Sequence, residues 1–141
     1  GRVSETGRVY LITITCHQRH AHFSALQSGR CFVKALRACT AHAVTLSYVV
    51  MPDHVHWLMA LREHADLSIT VQKAKSLTTQ RWRRAGRGDN ERLWHAGFHD
   101  RALRREDDLV AMARYIVANP LRAGLVNDIG DYPHWDSAWL L

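Results

Sequence analysis

His54 and His56 stand two residues apart in a segment, His54 to Leu61, whose alternation reads as a strand. On a strand both imidazoles point to one face, where they can share a single metal ion. A half-buried strand carrying polar residues beside a hairpin turn has the same pattern, so the pair by itself leaves both readings open. Further along, Tyr115 and Asn119 are four residues apart on a segment of helical period, which stacks them on one helical face beside Ala111 and Met112. Asn119 falls at the C-terminus of that helix, where the carbonyl ends favour a cation. A tyrosine and an amide so placed can present a nucleophilic hydroxyl and an oxygen ligand to whatever the histidines hold. A core tyrosine followed by an ordinary C-terminal Asn fits the spacing equally well.

The charge balance says what such a site would act on. Nineteen Lys plus Arg against thirteen Asp plus Glu leave a net charge of +6 over 141 residues, which suits a polyanion but does not separate DNA, RNA and acidic membranes. Lys73, Lys75, Arg81, Arg83, Arg84 and Arg87 form a basic helix and loop with Trp82 inside it. Cations neutralise phosphates, and an aromatic ring can stack a base. The plainer readings are a solvated helix face and, for Trp82, a core contact. Arg101, Arg104 and Arg105 extend the positive field up to the tyrosine helix.

Composition excludes several classes. At 47% hydrophobic residues the chain is globular, neither collagen-like nor low-complexity, and its length predicts a single domain over 1–141. Cys16, Cys31 and Cys39 are an odd number without a C-x-x-C pair, so they read as small buried apolar residues rather than disulfides or zinc ligands. No basic-then-apolar leader and no run of eighteen apolar residues is present, which predicts a soluble, cytoplasmic protein that touches no membrane. The chain opens on Gly1 rather than Met, as a trimmed chain would.

The elements that must position these residues follow from periodicity. Val9 to Cys16 and Val44 to Met51 are rich in β-branched and aromatic residues and read as strands. Pro52 and Asp53 turn the second directly into His54 to Leu61, making a hairpin. Leu26 to about His42 is helical, with Gly29 weakening its first turn. Asp66 to Arg84 is helical again, with Leu67, Val71, Ala74 and Thr78 inward and Lys73, Lys75, Gln80, Arg81 and Arg84 mostly outward. Leu93 to Leu103 reads as a fourth strand. Glu106, Asp107 and Asp108 open the last helix with the acidic charge its dipole prefers, and Asn119-Pro120 end it. An irregular tail follows. The order strand, helix, strand, strand, helix, strand, helix predicts an α+β, two-layer domain of the ferredoxin or RNA-recognition type, an antiparallel sheet with helices packed on it.

Four stretches together carry a family resemblance. They are Tyr48-Val-Val-Met-Pro-Asp-His-Val-His-Trp-Leu-Met59, Leu93-Trp-His-Ala-Gly-Phe-His99, Arg114-Tyr-Ile-Val-Ala-Asn-Pro-Leu-Arg-Ala-Gly-Leu-Val126 and Asp131-Tyr-Pro-His-Trp135. In this order they resemble the REP-associated tyrosine transposases, members of the HUH single-tyrosine superfamily of the insertion-sequence 200-like type. The combination of P-D-H-V-H with Y-x-x-x-N-P-x-R-A-G-L-V is specific where each part alone is not. The resemblance implies that His54 and His56 bind a divalent metal, Mg²⁺ or Mn²⁺, and that Asn119 is a third, amide-oxygen ligand. It also implies that Tyr115 is the nucleophile.

The implied activity is cleavage and rejoining of single-stranded DNA folded into repetitive extragenic palindromic hairpins, through a covalent 5′-phosphotyrosine and a free 3′-hydroxyl. The protein would act as a monomer or a homodimer, in association with the nucleoid. Two other readings suit the same residues: a non-catalytic single-strand nucleic-acid-binding module, and a small metal hydrolase that activates water. The first lacks a clear paired-aromatic stacking signature in the first strand and the 93–103 segment.

Overall fold

Where β-branched residues alternate, the chain forms strands, and where apolar residues recur every three or four, it forms helices. We describe a computed structural model, covering residues 8–88 and 90–137. In chain order the elements are β1 (Val9–Thr15), α1 (Leu26–Ala38), β2 (Ala43–Val50), β3 (His54–Leu61), α2 (Leu67–Arg84), β4 (His99–Leu103), α3 (Glu106–Val117), α4 (Asn119–Arg122) and β5 (Trp135–Ser137). One sheet runs in the order β4-β1-β3-β2-β5. All four pairings are antiparallel.

The α+β class and the antiparallel sheet are those expected from the sequence, but helices cover both faces, so there are three layers rather than two. On one face Ile12, Ile14, Val55 and Trp57 pack against Phe32 and Leu36 of α1 and Val71, Ala74 and Trp82 of α2. On the other, Val49, Leu58 and Ala60 pack against Leu109, Ala113 and Ile116 of α3. The physical reason lies in β3. Trp57 to Leu61 are all buried, so past His56 both faces of this central strand are apolar and each needs a cover.

Capping agrees with the predicted helix starts. The Asp66 carboxylate accepts a 2.9 Å bond from the Ile69 amide at the start of α2. Glu106, Asp107 and Asp108 occupy the first turn of α3. The three cysteines are buried and unpaired, as expected.

Three segments depart from expectation. Only the last part of Leu93 to Leu103 is a strand. Before it, Trp94 makes an isolated bridge to Cys16. The Lys75 ammonium takes the carbonyls of His95 and Gly97 at 3.1 and 2.9 Å, removing them from any ladder. The tail is not wholly irregular, since β5 pairs with β2 through Ser47, Tyr48 and Val49. Finally, α3 ends at Val117, but the chain winds one further turn as α4 with Pro120 in its first turn. A proline is tolerated there because its missing N–H would have no partner.

Candidate functional site

β3 leaves a tight hairpin in which the Met51 amide donates to the His54 carbonyl at 2.8 Å. Strand alternation then puts His54 and His56 on the face shared with Leu58 and Ala60, the face that α3 covers. Their ring centroids are 4.8 Å apart. Each Nδ1 already has a partner. His54 Nδ1 donates to Asp53 Oδ1 at 2.7 Å, and His56 Nδ1 lies 3.0 Å from the Thr13 hydroxyl of β1.

Burial pushes the Asp53 carboxyl up, but hydrogen bonds from His54 and Arg19 outweigh it and hold the group below its ordinary value. Asp53 therefore stays ionised and keeps the proton of His54 on Nδ1, leaving Nε2 to coordinate. His56 is held neutral: burial first, then the fields of His54 and Arg122, push it down to about 4. A neutral imidazole whose Nδ1 is engaged, as that of His56 is, has the form that binds a metal.

Tyr115 is 57% exposed on α3, so it is not the core tyrosine that its spacing also allowed. Its neighbour is Arg122 of α4, whose guanidinium carbon lies 3.9 Å from the ring centroid. Arg122 Nη2 donates to the Tyr115 carbonyl at 2.6 Å and to the Asn119 side-chain oxygen. The same guanidinium is near enough to His56 to depress its pKa. One cation thus links the tyrosine and the amide oxygen.

The donor set fits a divalent metal. The Asn119 side-chain oxygen accepts from the Arg122 cation, while its Nδ2 is buried without a hydrogen bond. Two neutral imidazoles and an amide leave an ion's charge uncompensated for an anionic substrate.

Sequence reasoning gave no role to Thr13, Asp53 and Arg122. Arg122 had a signal: it lies seven residues beyond Tyr115 and three beyond Asn119, one helical face if the helix resumes after the proline. His99 had none, because only strand register reveals it. Thr13 pairs with His56 on one side and His99 on the other, which puts all three in one row across the sheet.

The basic residues divide between the two faces. Arg101 pairs with Leu11 on β4, an edge strand, and Arg101, Arg104 and Arg105 are exposed just before the tyrosine helix. Arg101 is in phase with Leu103, which packs in the α3-side core. Lys73, Arg83, Arg84 and Arg87 are also exposed, but α2 lies on the opposite side of the sheet from His54 and His56. They are therefore not beside the histidine pair.

Arg81 is half-buried, its Nε lacking a hydrogen bond. Lys75, expected to point outward, is buried and holds the 95–97 backbone to α2; it lies four residues after Val71 and three before Thr78, on the inward face, and those carbonyls satisfy its ammonium. Trp82 is in the core.

The fold is thus a five-stranded antiparallel sheet bearing a His-x-His pair on its central strand, faced by a helix with an exposed tyrosine. The family described as transposase, IS200 like, matches residues 4–119, and the chain belongs to that family. It is 28% identical over 99 residues to a protein of Haemophilus influenzae named as a REP-associated tyrosine transposase. That match covers 64% of this chain and 56% of the relative, so the chain spans little more than half of the curated relative's length.

Two solved structures share the fold. One, a REP-associated tyrosine transposase bound to a REP hairpin, has a TM-score of 0.72 at 22% identity over 92% of this chain and 76% of the other. The second, a transposase-like protein of Deinococcus radiodurans, has a TM-score of 0.56 at 15% identity over 77% of this chain and 87% of the other. No helix among the described residues is long and apolar enough to cross a membrane.

Proposed function

We propose that this chain cleaves and rejoins single-stranded DNA at hairpins of the REP type, with Tyr115 as nucleophile and His54, His56 and Asn119 as ligands of a divalent metal, Mg²⁺ or Mn²⁺. The observation that carries this reading is the Arg122 guanidinium, which stacks on Tyr115, bonds the Asn119 oxygen and depresses the pKa of His56. Arg122 thus joins the tyrosine and the amide, and α3, which carries the tyrosine, covers the sheet face that carries the histidines.

The Tyr115 oxygen attacks phosphorus, and the bond to the 3′-oxygen breaks. The products are a 5′-phosphotyrosine and a free 3′-hydroxyl, and because the phosphodiester energy is retained, another 3′-hydroxyl can reverse the step. When bound, the metal supplies polarisation of the phosphoryl oxygen and in-line orientation. Asp53 and Thr13 fix the two imidazole rings, and Arg122 offers a planar cation over the Tyr115 ring that could neutralise phosphate charge. Arg101, Arg104 and Arg105 line the approach to α3 and would hold backbone phosphates. Lys73, Arg81, Arg83, Arg84 and Arg87, on the far face, would contact the DNA only where the hairpin passes around the sheet. Lys75 contributes by fixing the 95–97 segment.

The resemblances to a REP-associated relative and to a hairpin-bound structure support this substrate class. Whether the protein acts as monomer or homodimer is a second outcome for the same preparation, read by its mass in solution. Labelled hairpin DNA incubated with Mn²⁺ should give a covalent protein–DNA adduct that disappears in Tyr115→Phe. Cleavage surviving Tyr115→Phe would replace the reading with a water-activating hydrolase, and binding without cleavage with a binding module.

A further inference from the structure

The histidine-rich loop after β1 takes no part in the site described above, yet it carries a second constellation of metal-binding groups. His20, His22 and Glu91 offer ligand atoms that all lie within 4.8 Å of one another. His22 Nδ1 is 3.9 Å from Glu91 Oε2, with the His22 side chain 10% exposed and that of Glu91 57% exposed. His22 Nε2 is buried with no hydrogen bond.

Both segments rest on the same support. The His22 ring meets the buried Trp82 indole edge-on at 4.9 Å. Gly88 approaches the same indole so closely that a Cβ there would fall 2.0 Å from it. From Gly88 the chain turns, the Glu91 amide donating to the Gly88 carbonyl at 2.9 Å, and Arg83 fixes the Glu91 carbonyl at 3.1 Å. Glu91 is thus delivered to the two histidines by a backbone anchored at both ends.

We propose that His20, His22 and Glu91 form a second metal site, separate from His54 and His56, that takes a divalent ion of the Zn²⁺ class and joins the 17–23 loop to the 86–91 loop. Two imidazoles and one carboxylate suit Zn²⁺ better than Mg²⁺, which prefers an all-oxygen shell. Zinc bonds of roughly 2.0–2.1 Å put tetrahedral ligands about 3.3 Å apart, so the donors must close by ~1.5 Å. His20 and Glu91 are exposed and can make that adjustment by side-chain rotation. Three protein ligands leave the fourth position to water. The ion would pin the loop that carries Arg87 against the end of β1.

The test uses the full, untagged chain carrying His54→Ala and His56→Ala, which removes the first site. Titration with Zn²⁺ should show one stoichiometric binding step, and saturating Zn²⁺ should raise the thermal midpoint. Co²⁺ in place of Zn²⁺ should give the visible absorption of a four-coordinate centre. Adding His20→Ala and Glu91→Gln, both at exposed positions that leave the fold intact, should abolish the step, the thermal shift and the absorption. Absence of the step in the His54→Ala/His56→Ala background, or its persistence after His20→Ala and Glu91→Gln, overturns the proposal.

Discussion

The guanidinium carbon of Arg122 lies 3.9 Å from the centroid of the Tyr115 ring, and the same group bonds the Tyr115 carbonyl and the Asn119 side chain. A cation–π contact at such an exposed ring contributes about 0.5–1 kcal/mol to stability. Its larger effect is on position, because it fixes the ring and presents positive charge over its face. Arg122→Ala should therefore leave the urea midpoint nearly unchanged, shifting stability by less than about 1 kcal/mol. Adduct formation should slow by more than about tenfold, equivalent to ~1.4 kcal/mol in the barrier. Equal loss of stability and rate would show that Arg122 serves only the fold.

Removing either histidine should separate binding from chemistry. His54→Ala and His56→Ala are expected to abolish cleavage while hairpin affinity, measured by gel shift, stays within a few-fold of the unaltered chain. The ligands position the metal, whereas the phosphates are held mainly elsewhere. A matching loss of affinity in a well-folded variant would contradict that division.

Asp53 acts through His54. Because its carboxylate holds the Nδ1 proton, Asp53→Asn should raise the Mn²⁺ concentration needed for half-maximal cleavage by about 10–100-fold. Cleavage at saturating Mn²⁺ should largely recover, which a merely misfolded variant would not do.

Salt dependence should report the arginines beside α3. Each phosphate contact on a single strand contributes about 0.7 to the slope of log affinity against log salt, and each on a duplex about 0.9. Arg101→Gln with Arg104→Gln and Arg105→Gln should flatten that slope. An unchanged slope would place the DNA elsewhere.

Gly29 and His134 give a stability prediction opposite to the usual one. Glycine to alanine inside a helix ordinarily stabilises by up to about 1 kcal/mol. Here a Cβ on Gly29 would meet the buried His134 ring at 2.3 Å, so Gly29→Ala should destabilise by about 1–3 kcal/mol in urea unfolding. The same histidine makes stability pH-dependent. Burial first, and Arg30 second, depress its pKa below the ordinary 6.5. The unfolded chain therefore binds the proton first, and this contribution is complete above about pH 6.5 and is lost as pH falls. His134→Asn should reduce the slope of stability against pH in that range.

The parts legible in the sequence are those set by the period of a single element. Alternation along His54 to Leu61 requires the two imidazoles to share a face, whichever helix covers it. Local residue preferences likewise recovered the hairpin at Pro52-Asp53 and the acidic start of α3. Periodicity identifies the face of an element but not its partner. That is why α3 was not recognised as the cover of the second sheet face; Lys75, a buried strut, was read as an outward cation from its charge although its phase matches Val71 and Thr78.

What the sequence alone determined was the chemistry available: a histidine pair on one strand, a tyrosine and an amide one turn apart, and the positive charge to meet a polyanion. The tertiary structure alone decided how these combine. It winds the chain past Pro120 so that Arg122 reaches Tyr115, adds β5 from residues with no strand signal, and puts the basic α2 across the sheet from the histidines. It also brings Glu91 to His20 and His22. These relationships join residues distant in the chain, and they are set by which apolar surfaces must be buried together, a condition that no local spacing encodes.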